Sequence, residues 1–139
     1  MPAWDPQQIT LTFKGYEISG FADGTFITAA RSEDTWSINV GAQGDVVRVL
    51  NRNTSGTLVV TLQQTSMSNG ILSQILEEDE QFLTGVGDVM LKDLSGETLI
   101  HGEEAWIMKP ADAGYAKELE SREWTIMVGK LAMHLDGNE

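Results

Sequence analysis

The sequence contains no cysteine. A disulfide scaffold, a thiolate metal site and a cysteine nucleophile are therefore excluded, and the redox compartment is left undiagnosed. Histidine is scarce, with only His101 and His134. Basic residues number 9 against 21 acidic ones, for a formal charge of −12. Adhesive binding to DNA, RNA or anionic lipid needs a Lys/Arg surface, so this balance argues against it. It leaves room for a like-charged wall that keeps a polyanion from sticking, and for plain solubility. No apolar run approaches the roughly 18 residues that would span a membrane. The opening Met1-Pro2-Ala3-Trp4-Asp5-Pro6 lacks the basic and apolar regions of a signal peptide, so synthesis and folding in a cytoplasm are expected.

What is present suits one folded domain over residues 1–139. The chain is 41% hydrophobic and 22% charged, which is ordinary for a protein with one core. Its dominant pattern is short β-runs divided by Gly, Asn, Asp and Ser clusters. Ile9 to Phe13 alternates, and Tyr16 to Ile18 continues as a short extended piece. Phe26 to Ala29, Trp36 to Val40 and Val46 to Leu50 follow. Gly56 to Leu62 reads as a central strand, with Leu58, Val60 and Leu62 on one face and Thr57, Val59 and Thr61 on the other. Asp88 to Lys92 and Glu97 to Ile100 form a hairpin around Asp93-Leu94-Ser95-Gly96. Ala105 to Met108 is a further strand, and 109–121 is polar with room for a helical turn. Arg122 to His134 makes a long strand with Trp124, Ile126 and Val128 on one face and a bulge at Gly129.

One helix interrupts the strands. Ser68 is the expected N-cap, and Ile71, Leu72, Ile75 and Leu76 form an apolar stripe. The helix is expected to end within Glu78 to Gln81. Four acids, Glu77, Glu78, Asp79 and Glu80, crowd its C-terminal end, where the helix dipole opposes them. They read either as a solvated, frayed end or as a docking site for a basic partner. The fold class is mainly β: an antiparallel β-sandwich or open barrel with one flanking α-helix. Its exposed sheet edges need an answer, which assembling proteins supply by joining them.

Signals for chemistry are weak. Glu103 and Glu104 lie near His101, but adjacent residues of an extended strand point to opposite faces. The H-E-x-x-H and G-x-S-x-G patterns are absent. Gly85-Val86-Gly87-Asp88 lacks the lysine and following helix of a phosphate loop. Glu77 to Glu80 has the charge of a calcium loop without its alternate spacing. Trp4, Trp36, Trp106 and Trp124 suit packing in a core or an interface, or a sugar platform if exposed and coplanar. No catalytic residue, cofactor or metal is expected. A monomeric β-sandwich carbohydrate-binding module is the alternative from another class, and an enzyme using His101 with a nearby carboxylate is third.

Taken in order, several segments resemble the tail-tube proteins of contractile-tailed bacteriophages. They are Ile18-Ser19-Gly20-Phe21-Ala22-Asp23-Gly24-Thr25-Phe26-Ile27, Arg31-Ser32-Glu33-Asp34, the stretch from Gly41 to Val47, and Ser55-Gly56-Thr57. Further along come the passage from Gln63 to Leu72, Asp93-Leu94-Ser95-Gly96, the segment from Ala105 to Asp112, and Arg122-Glu123-Trp124. None is a mechanistic motif; order and spacing carry the match over nearly the whole chain. The resemblance implies a fold similar to the type VI secretion tube protein. It also implies homohexameric rings stacked into a hollow tube, a lumen through which DNA passes without specific binding, and a surrounding contractile sheath. Baseplate or tail-completion proteins would be further partners, with no membrane anchor, and the place of work would be the virion tail. Within that picture the polar connections holding Arg31, Glu33, Asp34, Gly41, Gln43 and Asp45 are the expected inter-ring loops. Glu77, Glu78, Asp79 and Glu80 are the expected sheath-facing acids.

Overall fold

The computed structural model describes residues 4–137. A short 3-10 turn, Pro6–Gln8, leads into β1 (Ile9–Phe13), and a tight turn at Lys14-Gly15 returns it as β2 (Tyr16–Ile18). The remaining elements are β3 (Ile27–Arg31), β4 (Trp36–Val40), β5 (Val46–Leu50), β6 (Gly56–Gln63), α1 (Ser68–Phe82), β7 (Gly87–Asp93), β8 (Leu99–Ile107), β9 (Ser121–Val128) and β10 (Ala132–His134). Eight strands form one antiparallel sheet in the order β2-β1-β7-β8-β9-β6-β3, with β10 beside β8. β4 and β5 form a separate two-stranded sheet.

The large sheet curls toward closure. The chain leaving β2, at one end of the strand order, crosses to β6, near the other end. There Phe21 bridges Leu62, Gln63 N–H donates to the Gly20 carbonyl at 2.8 Å and Ala22 N–H to Thr61 at 3.0 Å. Residues 20–22 thus occupy the side of β6 that β3 leaves vacant beyond Val60. The alternation in β6 and β9 comes out as the sequence predicts. Leu58, Val60, Leu62, Trp124, Ile126 and Val128 are buried on the concave side with Leu11, Phe13, Val89, Ala105 and Ile107. Each Val, Leu, Ile or Phe side chain among them, removed from water, contributes about 1.5–3 kcal/mol.

The helix closes this core with Leu72, Ile75 and Leu76. Its start differs from the expected Ser68 cap. Ser68 lies inside the helix and is buried, and its hydroxyl accepts the Ser19 N–H at 3.0 Å. Ser66 does the fastening instead: its hydroxyl donates to the Ser19 carbonyl and accepts the Ser68 N–H. Asn69 is buried beside it, donating to the Gln63 and Ser66 carbonyls while its Oδ1 accepts the Trp124 indole N–H at 3.0 Å. Tertiary partners claimed these polar side chains, so the local rule that places Ser at a cap gave way. The helix runs one residue past its expected end, to Phe82, and Leu83 stops it in a left-handed conformation.

Two strands are longer or more broken than the sequence suggests. Ile100 and Ala105 belong to one strand, β8, with a bulge where Gly87 faces Ala105 but Val89 faces Gly102. The expected irregularity at Gly129 separates β9 from β10, and Leu131 returns to the core. Residues 109–120 contain no helical turn.

Two substitutions test this frame. Gly20 has φ of +77°, and a Cβ there would lie 2.5 Å from Ser66 Oγ, so Gly20→Ala is expected to cost about 1–3 kcal/mol in urea unfolding. Trp124→Phe removes the donor to Asn69 inside the core, and an equilibrium loss of about 1–3 kcal/mol is expected. A wild-type midpoint in either variant would reject the contact that it tests.

Candidate assembly surfaces

Every residue of β4 and β5 is exposed. Pairing sets Trp36, Ile38, Val40, Val46, Arg48 and Leu50 on one face and Ser37, Asn39, Val47 and Val49 on the other. Seven large apolar side chains of this hairpin therefore face solvent, Ile38 at 68% and Val46 at 63% exposure. The Arg48 guanidinium lies 4.0 Å above the Trp36 ring, a cation–π contact that covers part of the indole. A lone two-stranded hairpin is marginal in water, and one with valines on both faces buries neither. The two runs read as strands in the sequence and are strands here, but neither face has cover within the chain.

The base of the hairpin is tied down firmly. Arg31 is the last residue of β3 rather than a loop residue, and it is half-buried. Its guanidinium donates to the Leu131 carbonyl and to Thr35 Oγ1. Ser32 N–H donates to Ser55, and Asn51 N–H to Thr35. The Asn51 amide donates to Glu33 Oε2 at 2.7 Å and to the Asp34 carbonyl at 3.2 Å. Glu33 and Asp34 thus serve the hinge. Gly41, Gln43 and Asp45 lie at the exposed tip, a tight turn closed by Gly41 N–H to the Asp45 carbonyl at 2.8 Å. Gly44 takes φ of +88° there, which a residue with a side chain rarely adopts.

The acidic run on α1 divides in two. Glu77, Glu78 and Glu80 are exposed, whereas Asp79 is half-buried and its Oδ1 accepts the Gly85 N–H at 2.9 Å. Asp79 holds the chain reversal after the helix. Beside the acids, Phe82, Leu83 and Val86 are exposed, an apolar patch that helical periodicity did not flag.

The sheet face turned away from the core carries cross-strand rows of threonine and acid. Thr12 pairs with Glu17, Thr61 with Glu123, and Val59 lies between Thr28 and Thr125. Glu103 and Glu104 are both exposed, because the β8 bulge cancels the alternation that would have sent one inward. They line a hollow of about 250 Å³ with His101 and Lys130. Among the described residues no group of three or more His, Asp or Glu side chains could hold a metal ion. The tryptophans are used differently: Trp124 is in the core, bonded to Asn69, Trp36 lies under Arg48 on the hairpin, and Trp4 is exposed.

One titration follows from the hinge. The Asn51 amide, with a smaller contribution from Asn53, holds the Glu33 carboxyl below the usual glutamate range. The ionised form is thus favoured in the folded hinge. Its contribution is complete above the unfolded pKa and is lost as pH falls through the lowered folded value. Asn51→Ala is expected to raise the Glu33 midpoint toward the ordinary range in a carboxyl NMR titration; an unchanged midpoint would refute the contact.

Comparison with known proteins bears on what such surfaces serve. The chain is 28% identical over 142 residues to structural protein ORF10 of Pseudomonas phage KPP10, spanning 96% of this chain and 82% of that one. Its fold is similar to that of the anti-feeding prophage tube-terminating cap, with a TM-score of 0.66 at 9% identity over 98% of this chain and 93% of the other. It is also similar to the sheath/tube terminator of the PVC extracellular contractile injection system, with a TM-score of 0.59 at 9% identity, covering 96% and 97%. A chain of the native gene transfer agent virion gives 0.58 at 16% identity, covering 96% and 100%. From the first residue of β1 to two residues beyond β10, residues 9–136, the sequence matches the family described as Bacteriophage PhiTE tail tube protein, and the chain belongs to that family.

Proposed function

We propose that this chain is the repeating subunit of a phage tail tube, acting as one domain over residues 1–139. Six copies would close a ring, and rings would stack into a hollow cylinder that conducts DNA inside a contractile sheath. The observation that carries the reading is the β4–β5 hairpin, firmly hinged at its base yet exposing apolar side chains on both faces. An arm of this kind gains order and buries its valines only against another surface. A second copy of the same chain supplies that surface in a closed cyclic assembly.

Other features support parts of the picture. The open edges of β2 and β3 are available for edge-to-edge pairing between neighbours, which removes the hazard of unpaired strands. The face bearing Thr12, Thr61, Thr125, Glu103 and Glu123 suits a channel wall: hydroxyls keep it wet, and the acids repel phosphates. Glu77, Glu78 and Glu80 suit a sheath contact that must break and re-form, since exposed charge pairs are weak and salt-sensitive. The tip residues Gly41, Gln43 and Asp45 are the proposed ring-to-ring contact, with Arg31, Glu33 and Asp34 positioning the arm. The family is a structural one, and the proposal assigns the chain no catalytic step, cofactor or metal. Baseplate or tail-completion proteins would start and end the tube.

The test is electron microscopy of tails or purified protein. Wild-type protein is expected to give stacked hollow rings. Replacing Trp36 to Leu50 with a short Gly/Ser linker is expected to abolish stacking while the Trp124 core keeps its fluorescence. Unchanged tubes from that variant would overturn the arm, and a single ring that never stacks would point to a terminator. Glu77→Gln, Glu78→Gln and Glu80→Gln together are expected to weaken sheath docking and spare the tube, whereas full docking at low salt would refute the acidic contact. Glu103→Lys with Glu123→Lys is expected to make assembled tubes retain DNA; tubes that bind none would move the lumen to another face.

A further inference from the structure

We propose that the hairpin of one copy seats in a particular cleft of a second copy, the one bounded by the N-terminal segment, β2 and the crossover from β2 to β3. This rests on the self-assembly reading and names the surface that receives the arm. The cleft measures about 820 Å³ and is open on one side. Trp4, 53% exposed, stands on one wall. Phe21 and Phe26 line the cleft too, their ring centroids 5.0 Å apart and each half-buried. Glu17 and Asp23 also line it, and both are exposed.

The arm and the cleft are complementary in charge and in chemistry. The arm presents Trp36, Ile38 and Leu50 on one face, with Arg48 among them and Arg52 just beyond β5. Two arginines this close are notable in a chain with 9 basic residues against 21 acidic ones. Most of the remaining surface carries like charge and would repel a second copy, whereas the arm, where Arg31, Arg48 and Arg52 balance Glu33, Asp34 and Asp45, is neutral overall and presents Arg48 on its apolar face, so that face is steered to a site that is acidic and aromatic together. Arg48 lies over Trp36 and so reaches the cleft partly desolvated, which strengthens a pairing with Glu17 or Asp23. The aromatic walls bury the indole and isoleucine, and the acids fix the register.

The cleft is also held in place for such a role. Its crossover wall is pinned to β6 by Gly20, Phe21 and Ala22 and to α1 by the Ser19–Ser66–Ser68 contacts. A receiving surface that is already ordered avoids the entropy cost of forming on contact.

The absence of cysteine makes the test clean. Two single variants, Ile38→Cys on the arm and Gln7→Cys in the cleft, are expressed together with the other tail proteins and oxidised after assembly. A disulfide between the two variants, with none from a Tyr115→Cys control in place of Gln7→Cys, is the expected result. In parallel, Glu17→Arg with Asp23→Arg is expected to abolish tubes, and adding Arg48→Glu with Arg52→Glu to that variant is expected to restore them. No cross-link, together with normal tubes from the reversed cleft, would overturn the pairing. If tubes then still vanish when the hairpin is removed, the arm works on another surface and the self-assembly reading stands. Tubes that survive hairpin removal would sink that broader reading.

Discussion

The curl of the sheet depends on one join, where the crossover after β2 bonds to the end of β6. Phe21 against Leu62, Gly20 against Gln63 and Ala22 against Thr61 tie the segment after β2 to β6, next to the far end of the strand order. Without that join, an eight-stranded sheet would present a broad apolar face that a single 15-residue helix could not cover. With it, the concave side becomes a core and α1 needs to close only what is left open. The buried polar cluster of Ser66, Ser68, Asn69 and Trp124 sits at the same place, joining crossover, helix and β9. Each polar group buried there has a partner, so the cluster specifies the join without a desolvation penalty left unpaid.

A second consequence concerns what this frame leaves out. The hairpin β4–β5 departs from the edge strand β3 and rejoins at β6, so its hinge is anchored while its strands stay outside the core. Monomeric proteins rarely leave this much aliphatic surface in solvent. Hinge and arm are separate devices: Arg31, Asn51 and Glu33 hold the base, and Trp36, Ile38 and the valines are left exposed. The proposed pairing with an acidic, aromatic cleft would let a strongly negative chain find copies of itself in one orientation.

The acidic residues also take more than one part. Asp79 is used within the fold, holding the turn after α1, while its neighbours Glu77, Glu78 and Glu80 remain outside. Glu103 and Glu104 come to one face only because β8 carries an extra residue opposite β7. Net charge alone could not separate these uses, since it counts carboxylates without regard to their direction.

The sequence by itself determined the fold class and most strands, because a period of two and turn residues act locally. Leu58, Val60 and Leu62 against Thr57, Val59 and Thr61 is the clearest case, and Trp124, Ile126 and Val128 the next. The stripe from Ile71 to Leu76 likewise announced the helix. The ordered set of segments from Ile18 to Trp124 pointed to the tail-tube family, which no composition could do. Only the tertiary structure decided which apolar runs are buried. Trp36 to Val40 and Val46 to Leu50 read as strands like the others in one dimension, and they are solvent-exposed because they pair only with each other, in a separate two-stranded sheet. It also decided that Ser68 is not the cap and that the β8 bulge turns Glu103 and Glu104 outward together. Such outcomes come from contacts between residues far apart in the chain, such as Ser19 with Ser68 and Gly102 with Val89, and local periodicity carries no information about them.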